Sequence, residues 1–209
     1  MNDFLATDVV RDAWATFKER SGFLMFATLV VMVWGGLIGA VSFQLTAFNT
    51  ASIFGFPILL VSGTLLGMGI TAFFLQAHDA IRSVHLGELW HPRPFFFYLG
   101  VRILTGVAVV LGLVLLIVPG IMLALMFLFG SFIVIDRGLD PIEAMKESMH
   151  ITLGYRFELL FLLLLLLGIN ILGVVALGVG LLVSIPVSML ALVHAYRTLA
   201  LKAKTPSVL

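Results

Sequence analysis

Long apolar stretches, separated by short polar segments, dominate this chain. Three of them contain no Lys, Arg, Asp or Glu, and they run from Ser21 to His78, from Ile103 to Ile135 and from Leu159 to Tyr196. Because a helix of about 20 apolar residues crosses the roughly 30 Å of bilayer hydrocarbon, each stretch with its flanks can hold two crossings. The pattern predicts an all-α polytopic membrane protein, with six transmembrane helices in three hairpins that form one integral membrane domain over residues 1–209.

The turns of the first two hairpins are predicted from polar, Gly and Pro residues. The first hairpin covers 23–76, with a polar loop at 46–56. The second covers 95–135 and is predicted to reverse at Pro119 and Gly120, because proline stops a helix and glycine accepts a positive φ. Its second arm is short enough to be either a full crossing or a re-entrant segment.

The third hairpin covers 157–199, and its turn is predicted between Gly173 and Gly180. Pro186 lies inside the last helix and predicts a kink, because proline has no N–H to donate to the carbonyl four residues earlier. Asn170 is a polar residue midway along the fifth helix. It could bind a substrate or an ion, but a hydrogen bond to a neighbouring helix is the favoured interpretation.

Composition and charge narrow the class of protein. Hydrophobic residues make up 61% of the chain and charged residues 11%, whereas a soluble globule has about 25% charged residues. The net charge of +1 gives no case for a nucleic-acid partner, and the absence of Cys excludes disulfides and thiolate metal sites. All 12 Lys and Arg lie in the N-terminal segment, near the second and fourth connections or in the tail. The positive-inside rule therefore predicts that these regions and both termini are cytoplasmic.

Interfacial segments are predicted before the hairpins. Residues 5–20 place Val10, Trp14 and Phe17 on one helical face, which indicates an amphipathic helix at the membrane surface. A shorter segment, Leu86–Trp90, precedes the middle hairpin. Each hairpin would then follow an interfacial segment, which is compatible with a parallel internal repeat.

A second amphipathic helix is predicted before the third hairpin. Asp140 is its expected N-cap and Pro141 its first residue, because a short acidic side chain and a proline are both favoured there. Ile142, Met145 and Met149 form the apolar face. That face is expected to lie on the membrane.

Five polar residues are predicted to gather at the cytoplasmic ends of the second and sixth helices. They are His78, Asp79, Arg82, His194 and Arg197. A His/Asp cluster can bind a metal or move a proton, but adjacent residues such as His78 and Asp79 point about 100° apart on a helix. Neither H-E-x-x-H nor a nucleophile motif is present. Contacts with headgroups or a partner are therefore favoured, and no metal, cofactor or catalytic set is expected.

The second half of the chain resembles a known family. The elements LVLLIVPGI at 113–121, FIVID at 132–136 and DPIEAMKES at 140–148 are similar to the YciC-like bacterial inner-membrane proteins. They also resemble the membrane domain fused to some glycerophosphodiester phosphodiesterases. The likeness covers about half the chain, roughly 99–199, and implies a polytopic inner-membrane protein. The phosphodiesterase activity does not follow, because the fused enzymes carry it in a separate soluble domain.

Three functional hypotheses result. The first is a non-enzymatic inner-membrane protein that supports envelope or membrane-lipid homeostasis through the phospholipid bilayer or a membrane-protein partner. The second is a small transporter or channel with a site between hairpins, which requires Asn170 to face a hydrated cavity. The third is a membrane enzyme, which requires His78, Asp79 and His194 to lie within hydrogen-bonding distance of each other. The first is the expected function.

Overall fold

The computed structural model describes residues 4–47, 51–82, 84–90, 94–176 and 178–204. Within them, a 3-10 helix covers Leu86–Trp90, and the α-helices are α1 (Ala6–Glu19), α2 (Ser21–Ala47), α3 (Ala51–Asp79), α4 (Phe95–Leu115), α5 (Ile117–Met126), α6 (Gly130–Arg137), α7 (Pro141–Thr152), α8 (Arg156–Val175) and α9 (Leu181–Lys204). Among these described residues, six segments are long and apolar enough to cross a membrane, and α5 and α6 together make up one of them. The predicted all-α, multi-pass architecture is confirmed.

The centre of the bundle is formed by α3 and α9. Helix α9 packs against α1, α2, α3, α7 and α8. Its residues Leu190, Ala191 and Tyr196 are completely buried. In contrast, α2, α4 and α8 expose most of their apolar side chains, as helices that face lipid do.

The first hairpin has a shorter connection than the sequence predicts. Helix α3 begins at Ala51, so the loop predicted at 46–56 is wrong at both ends, because α2 also continues to Ala47. Pro57 lies inside α3 rather than at its start. Helices that span lipid satisfy their backbone groups internally and tolerate proline, which explains why the helix extends past the polar residues.

The second hairpin reverses earlier than predicted. The reversal lies at Leu116, which is extended at φ −162° and ψ 147°, and α5 starts at the next residue. Pro119 is therefore the third residue of a helix, where no N–H is needed, and the turn predicted at Pro119 and Gly120 is wrong. Gly120 instead allows close packing, since a Cβ on Gly112 of α4 would lie 2.9 Å from the Gly120 Cα.

The fourth span consists of two helices, α5 and α6, and the helix is interrupted between Met126 and Gly130. Ser148 of α7 hydrogen-bonds the backbone groups at this interruption. Its hydroxyl donates to the Met126 carbonyl at 2.8 Å and accepts from the Phe129 N–H at 3.2 Å. Asp140 caps α7 by accepting from two backbone N–H groups at 2.8 and 2.9 Å. The span from Ile117 to Arg137 has 21 residues, enough for a full crossing.

The two amphipathic helices bury the side next to the predicted apolar face, and in α1 this buried side includes Phe17 of that face. In α1 the buried residues are Ala6, Val9, Ala13 and Phe17, and in α7 they are Ala144, Ser148, Ile151 and Thr152. Trp14 and Ile142 are 43% and 60% exposed. Both helices pack on the bundle, α1 mainly on α9 and α7 on α6, so close packing of small residues decides which face is inside.

The last hairpin turns within the predicted window. Helix α8 ends at Val175, and Gly178 in the connection has a φ of +76°, a left-handed conformation that favours glycine. Pro186 lies inside α9, as predicted, and cannot donate to the carbonyl of Leu182.

Candidate functional site at the terminal face

Two histidines meet at the terminal face, the end of the bundle where α3 and α9 end and α8 begins. The Nε2 atom of His78 on α3 lies 3.2 Å from the Nδ1 atom of His194 on α9. Asp79 Oδ1 lies 3.2 Å from His78 Nδ1, and Asp12 Oδ2 on α1 lies 3.7 Å from His194 Nε2. An N–H···N contact needs one protonated and one bare ring nitrogen. Two carboxylates and two imidazoles therefore form a chain that joins α1, α3 and α9.

Arg197 of α9 joins the same three-helix region to α6. Its Nε donates to Asp79 Oδ1 at 3.1 Å, and its Nη2 donates to Asp79 Oδ2. Its Nη1 donates to Asp136 Oδ2 at 2.8 Å, and the Tyr196 hydroxyl donates to the same oxygen at 2.7 Å. Two-pronged contacts between guanidinium and carboxylate are among the strongest polar contacts in proteins. The terminal ends of α3, α6 and α9 are thus fixed to one another.

Four of the five polar residues that were predicted to gather at the terminal face contact one another. The four are His78, Asp79, His194 and Arg197. Arg82 is exposed and lies outside this group. Its backbone carbonyl accepts a hydrogen bond from Arg20 Nη1 at 3.1 Å. In the described part of the chain, no group of three or more His, Cys, Asp or Glu residues is arranged to hold a metal ion.

Sequence reasoning missed three members of this network, namely Asp12, Asp136 and Tyr196. Asp136 directly follows an apolar span, and a charge at that position could have been recognised as one that needs a partner. Asp12 and Tyr196 gave no such signal, because their contacts depend on how α1 and α6 pack on α9. The sequence shows where these charges are but not which of them meet.

A polar cavity of about 260 Å³ lies between α3, α6 and α9. We call it the rim pocket; its polar lining comes from Gln76, Asp79, Asp136 and Arg197. Gln76 Oε1 is buried and accepts no hydrogen bond within the described residues. Two candidate spans end at Asp79 and Arg137, so the rim pocket lies at the end of these apolar segments, where a bilayer of ordinary thickness would change from hydrocarbon to headgroups.

The rim pocket carries an excess of one negative charge. Asp79 and Asp136 contribute two negative charges against the one positive charge of Arg197. The neighbouring pair of Arg137 and Glu147, 2.7 Å apart, is neutral and leaves this balance unchanged. Arg197 uses three of its five N–H donors on the two carboxylates. The pocket can accept hydrogen bonds from a cation and also offers guanidinium N–H groups to an anionic oxygen.

Asn170 joins α8 to α9. Its amide donates to the Leu166 carbonyl and to the Ser188 hydroxyl, both at 2.8 Å, and its carbonyl accepts from the Ser184 hydroxyl at 2.9 Å. Both amide hydrogens and one lone pair of the oxygen are therefore used inside the hairpin. This geometry favours the structural interpretation of Asn170 over a substrate site.

Replacing Asn170 with Leu should lower the free energy of unfolding by about 1 kcal/mol, the usual size of a polar contact between helices in a membrane. Thermal unfolding in detergent measures the change. Ile171→Leu is the matched control, because Ile171 is the next residue of α8 and is 53% exposed. A variant that kept wild-type stability but lost a solute flux in vesicles would instead support a transport site at Asn170.

No protein-family model, curated protein or solved structure matches this chain. The basis for a functional assignment is therefore the geometry of the terminal face. Its most specific feature is the rim pocket, a polar cavity at headgroup depth with side chains of both charges.

Proposed function

We propose that this chain is a non-enzymatic integral protein of the bacterial inner membrane that supports membrane-lipid homeostasis by binding phospholipid headgroups in the rim pocket. In this proposal both termini lie in the cytoplasm. The rim pocket carries the proposal, and two further observations support the location. One is the confinement of all 12 Lys and Arg to alternate connections and termini; the other is the resemblance to the YciC-like proteins.

The chemistry of the rim pocket is complementary to a zwitterionic headgroup. Asp79 and Asp136 can accept hydrogen bonds from an ammonium group, and Gln76 Oε1 is a buried acceptor without a partner among the described residues. Arg197 can donate to a phosphate oxygen. A phospholipid in the surrounding leaflet brings both groups to this depth, and the excess negative charge of the pocket favours a headgroup with a free ammonium. Phosphatidylethanolamine has these properties.

A membrane enzyme is a second candidate, because one observation favours it. His78 lies within hydrogen-bonding distance of both Asp79 and His194, which meets part of the condition that the sequence-based hypothesis sets. The contacts of the imidazoles described here are with carboxylates and with each other, and they include no Ser, Thr or Tyr hydroxyl that an imidazole could activate. Turnover of phospholipid by the purified protein, lost in His194→Ala, would establish an enzyme and overturn the non-enzymatic proposal.

Replacing Gln76 with Met should weaken the retention of phosphatidylethanolamine about fivefold, the effect of losing one hydrogen bond. Met has a similar length, and the change leaves the ion pairs of Arg197 in place. Native mass spectrometry of protein released from nanodiscs that contain phosphatidylethanolamine measures the bound fraction.

The matched control for this experiment is Glu143→Gln, which removes an exposed negative charge on α7 outside the rim pocket. The control should retain lipid as the wild type does. Equal retention by Gln76→Met and the wild type would contradict headgroup binding in the pocket. Full competition by soluble phosphoethanolamine at the same concentration would identify a free metabolite, rather than a lipid, as the ligand.

A further inference from the structure

A second cavity, of about 340 Å³, lies between α1, α8 and α9 and shares no lining residue with the rim pocket. We call it the α1 groove. Val10 and Trp14 of α1 form one wall, and small residues of the last hairpin, Gly173, Ala176 and Gly180, lie on the other side. The lining is almost entirely apolar, so the α1 groove suits a hydrocarbon chain rather than a polar ligand.

The α1 groove reaches the depth of bilayer hydrocarbon. Its residues Leu172 and Gly173 belong to the span Arg156–Val175. Leu172 is 69% exposed and Val175 is 73% exposed, so this part of α8 faces lipid tails. The molecules that surround such a surface in a membrane are phospholipids, and the part of them present at this depth is the acyl chain.

Two basic side chains of α1, Arg11 and Lys18, lie beside the groove. Arg11, Trp14 and Lys18 are spaced three and seven residues apart, which places them on one side of the helix, and all three are exposed. Trp side chains favour the interface between hydrocarbon and headgroups. Arg11 pairs with Asp8 at 3.1 Å, but these side chains are 74% and 46% exposed, and such a pair contributes little and is readily exchanged.

We propose that the α1 groove and the adjoining basic face of α1 form a second lipid site, selective for phospholipids with an anionic headgroup. One acyl chain lies in the groove against Trp14, and the headgroup contacts Arg11 and Lys18. Helix α1 also carries three acidic residues: Asp8 pairs with Arg11, Asp12 lies near Arg11 and 3.7 Å from His194, and Glu19 follows Lys18. At 100° per residue these three lie on the side of Arg11 that faces away from the groove residues Val10 and Trp14. This site goes beyond the proposed function, because it has a different lining and selects an anionic headgroup rather than the zwitterionic headgroup of the rim pocket.

The test uses nanodiscs with equal amounts of phosphatidylglycerol and phosphatidylcholine that carry identical acyl chains. Native mass spectrometry of the released protein should show a preference for phosphatidylglycerol of up to about 25-fold, the product of two basic contacts of about fivefold each. The double variant Arg11→Gln/Lys18→Gln should reduce this preference to about onefold to threefold. Ala176→Phe fills the groove and should lower the occupancy of both lipids together.

Equal retention of the two lipids by the wild type, or an unchanged preference in the double variant, would overturn the proposal. A native dimer that Ala176→Phe dissociates would also overturn it, because a second copy of the chain would then occupy the groove. The variant Gln76→Met separates the two sites. It should leave the preference for phosphatidylglycerol unchanged, so a loss of preference in Gln76→Met would also count against an independent α1 groove site.

Discussion

Replacing Arg197 with Leu should lower the free energy of unfolding by about 2–3 kcal/mol, at the lower end of the effect of removing one partner from a buried ion pair because these groups are partly exposed. The change leaves Asp79 and Asp136 facing each other without the guanidinium that holds both. The Arg197 side chain is 27% exposed and that of Asp136 is 19% exposed, so water replaces the lost contacts only in part. Thermal unfolding in detergent should show a midpoint lower by about 5–10 °C.

Arg11→Leu is the matched control for this change, because it removes an arginine that is 74% exposed and has an ion pair of its own. Its effect should stay within about 0.5 kcal/mol. The triple variant Arg197→Leu/Asp79→Asn/Asp136→Asn should regain part of the lost stability, since it removes the unpaired negative charges as well. Equal effects of Arg197→Leu and Arg11→Leu would show that the network contributes nothing to the fold.

Replacing Gly69 with Ala should destabilise the protein, whereas the same change at Gly63, six residues earlier in α3, should not. A Cβ at Gly69 would overlap the backbone carbonyl of Leu89 in the 3-10 helix, and backbone cannot move aside as a flexible side chain can. Overpacking of this kind lowers the free energy of unfolding by about 1–3 kcal/mol. A Cβ at Gly63 meets nothing within 4 Å.

The two glycine variants should differ in their unfolding midpoints, with Gly69→Ala lower than the wild type and Gly63→Ala unchanged or higher. Gly63→Ala should be neutral or raise stability by up to about 1 kcal/mol, because Ala favours a helix more than Gly does. Thermal unfolding of both variants in the same detergent measures the difference. A midpoint for Gly69→Ala at or above that of Gly63→Ala would show that the segment Leu86–Trp90 does not rest on α3 as described.

The spans could be predicted because length and apolar content alone decide them. A segment such as Leu159 to Tyr196 has no charged residue and is far too long for one crossing, so it is expected to form two membrane-spanning helices. The break after Met126 could not be predicted in the same way. It depends on Ser148, which is distant in sequence and supplies both a donor and an acceptor to the interrupted backbone.

The packing faces of helices were harder to predict than their positions. Gly63 and Gly67 lie four residues apart on α3, but a Cβ at Gly63 would meet nothing within 4 Å, while one at Gly67 would lie 3.1 Å from the Tyr98 hydroxyl. In α7 the hydrophobic pattern pointed to Ile142, which is 60% exposed, rather than to the buried Ser148. Small and hydroxyl-bearing side chains are buried at these positions, and a pattern based on hydrophobic residues does not identify them.

The candidate site was predicted in position but not in detail. The sequence places His78 and His194 at the same end of the bundle, since each lies near the end of a span that finishes on that side. Their direct contact follows from the packing of α3 on α9, and the hydrogen bond from Arg197 to Asp136 follows from the contact between α9 and α6; no local pattern encodes either. The rim pocket is formed by three helices that are far apart in the chain, and so it could not be predicted from the sequence.

The hydrogen bonds from Ser148 to the interrupted backbone of the fourth span have a consequence for biosynthesis. A ribosome completes residues 117–137 before it reaches residue 148, so the Met126 carbonyl and the Phe129 N–H enter the translocation machinery without the hydroxyl that later satisfies both. Backbone groups that lack a partner in lipid are strongly unfavourable. The fourth span should therefore remain close to the insertion site, and settle in the bilayer only after α7 has emerged and folded back against it.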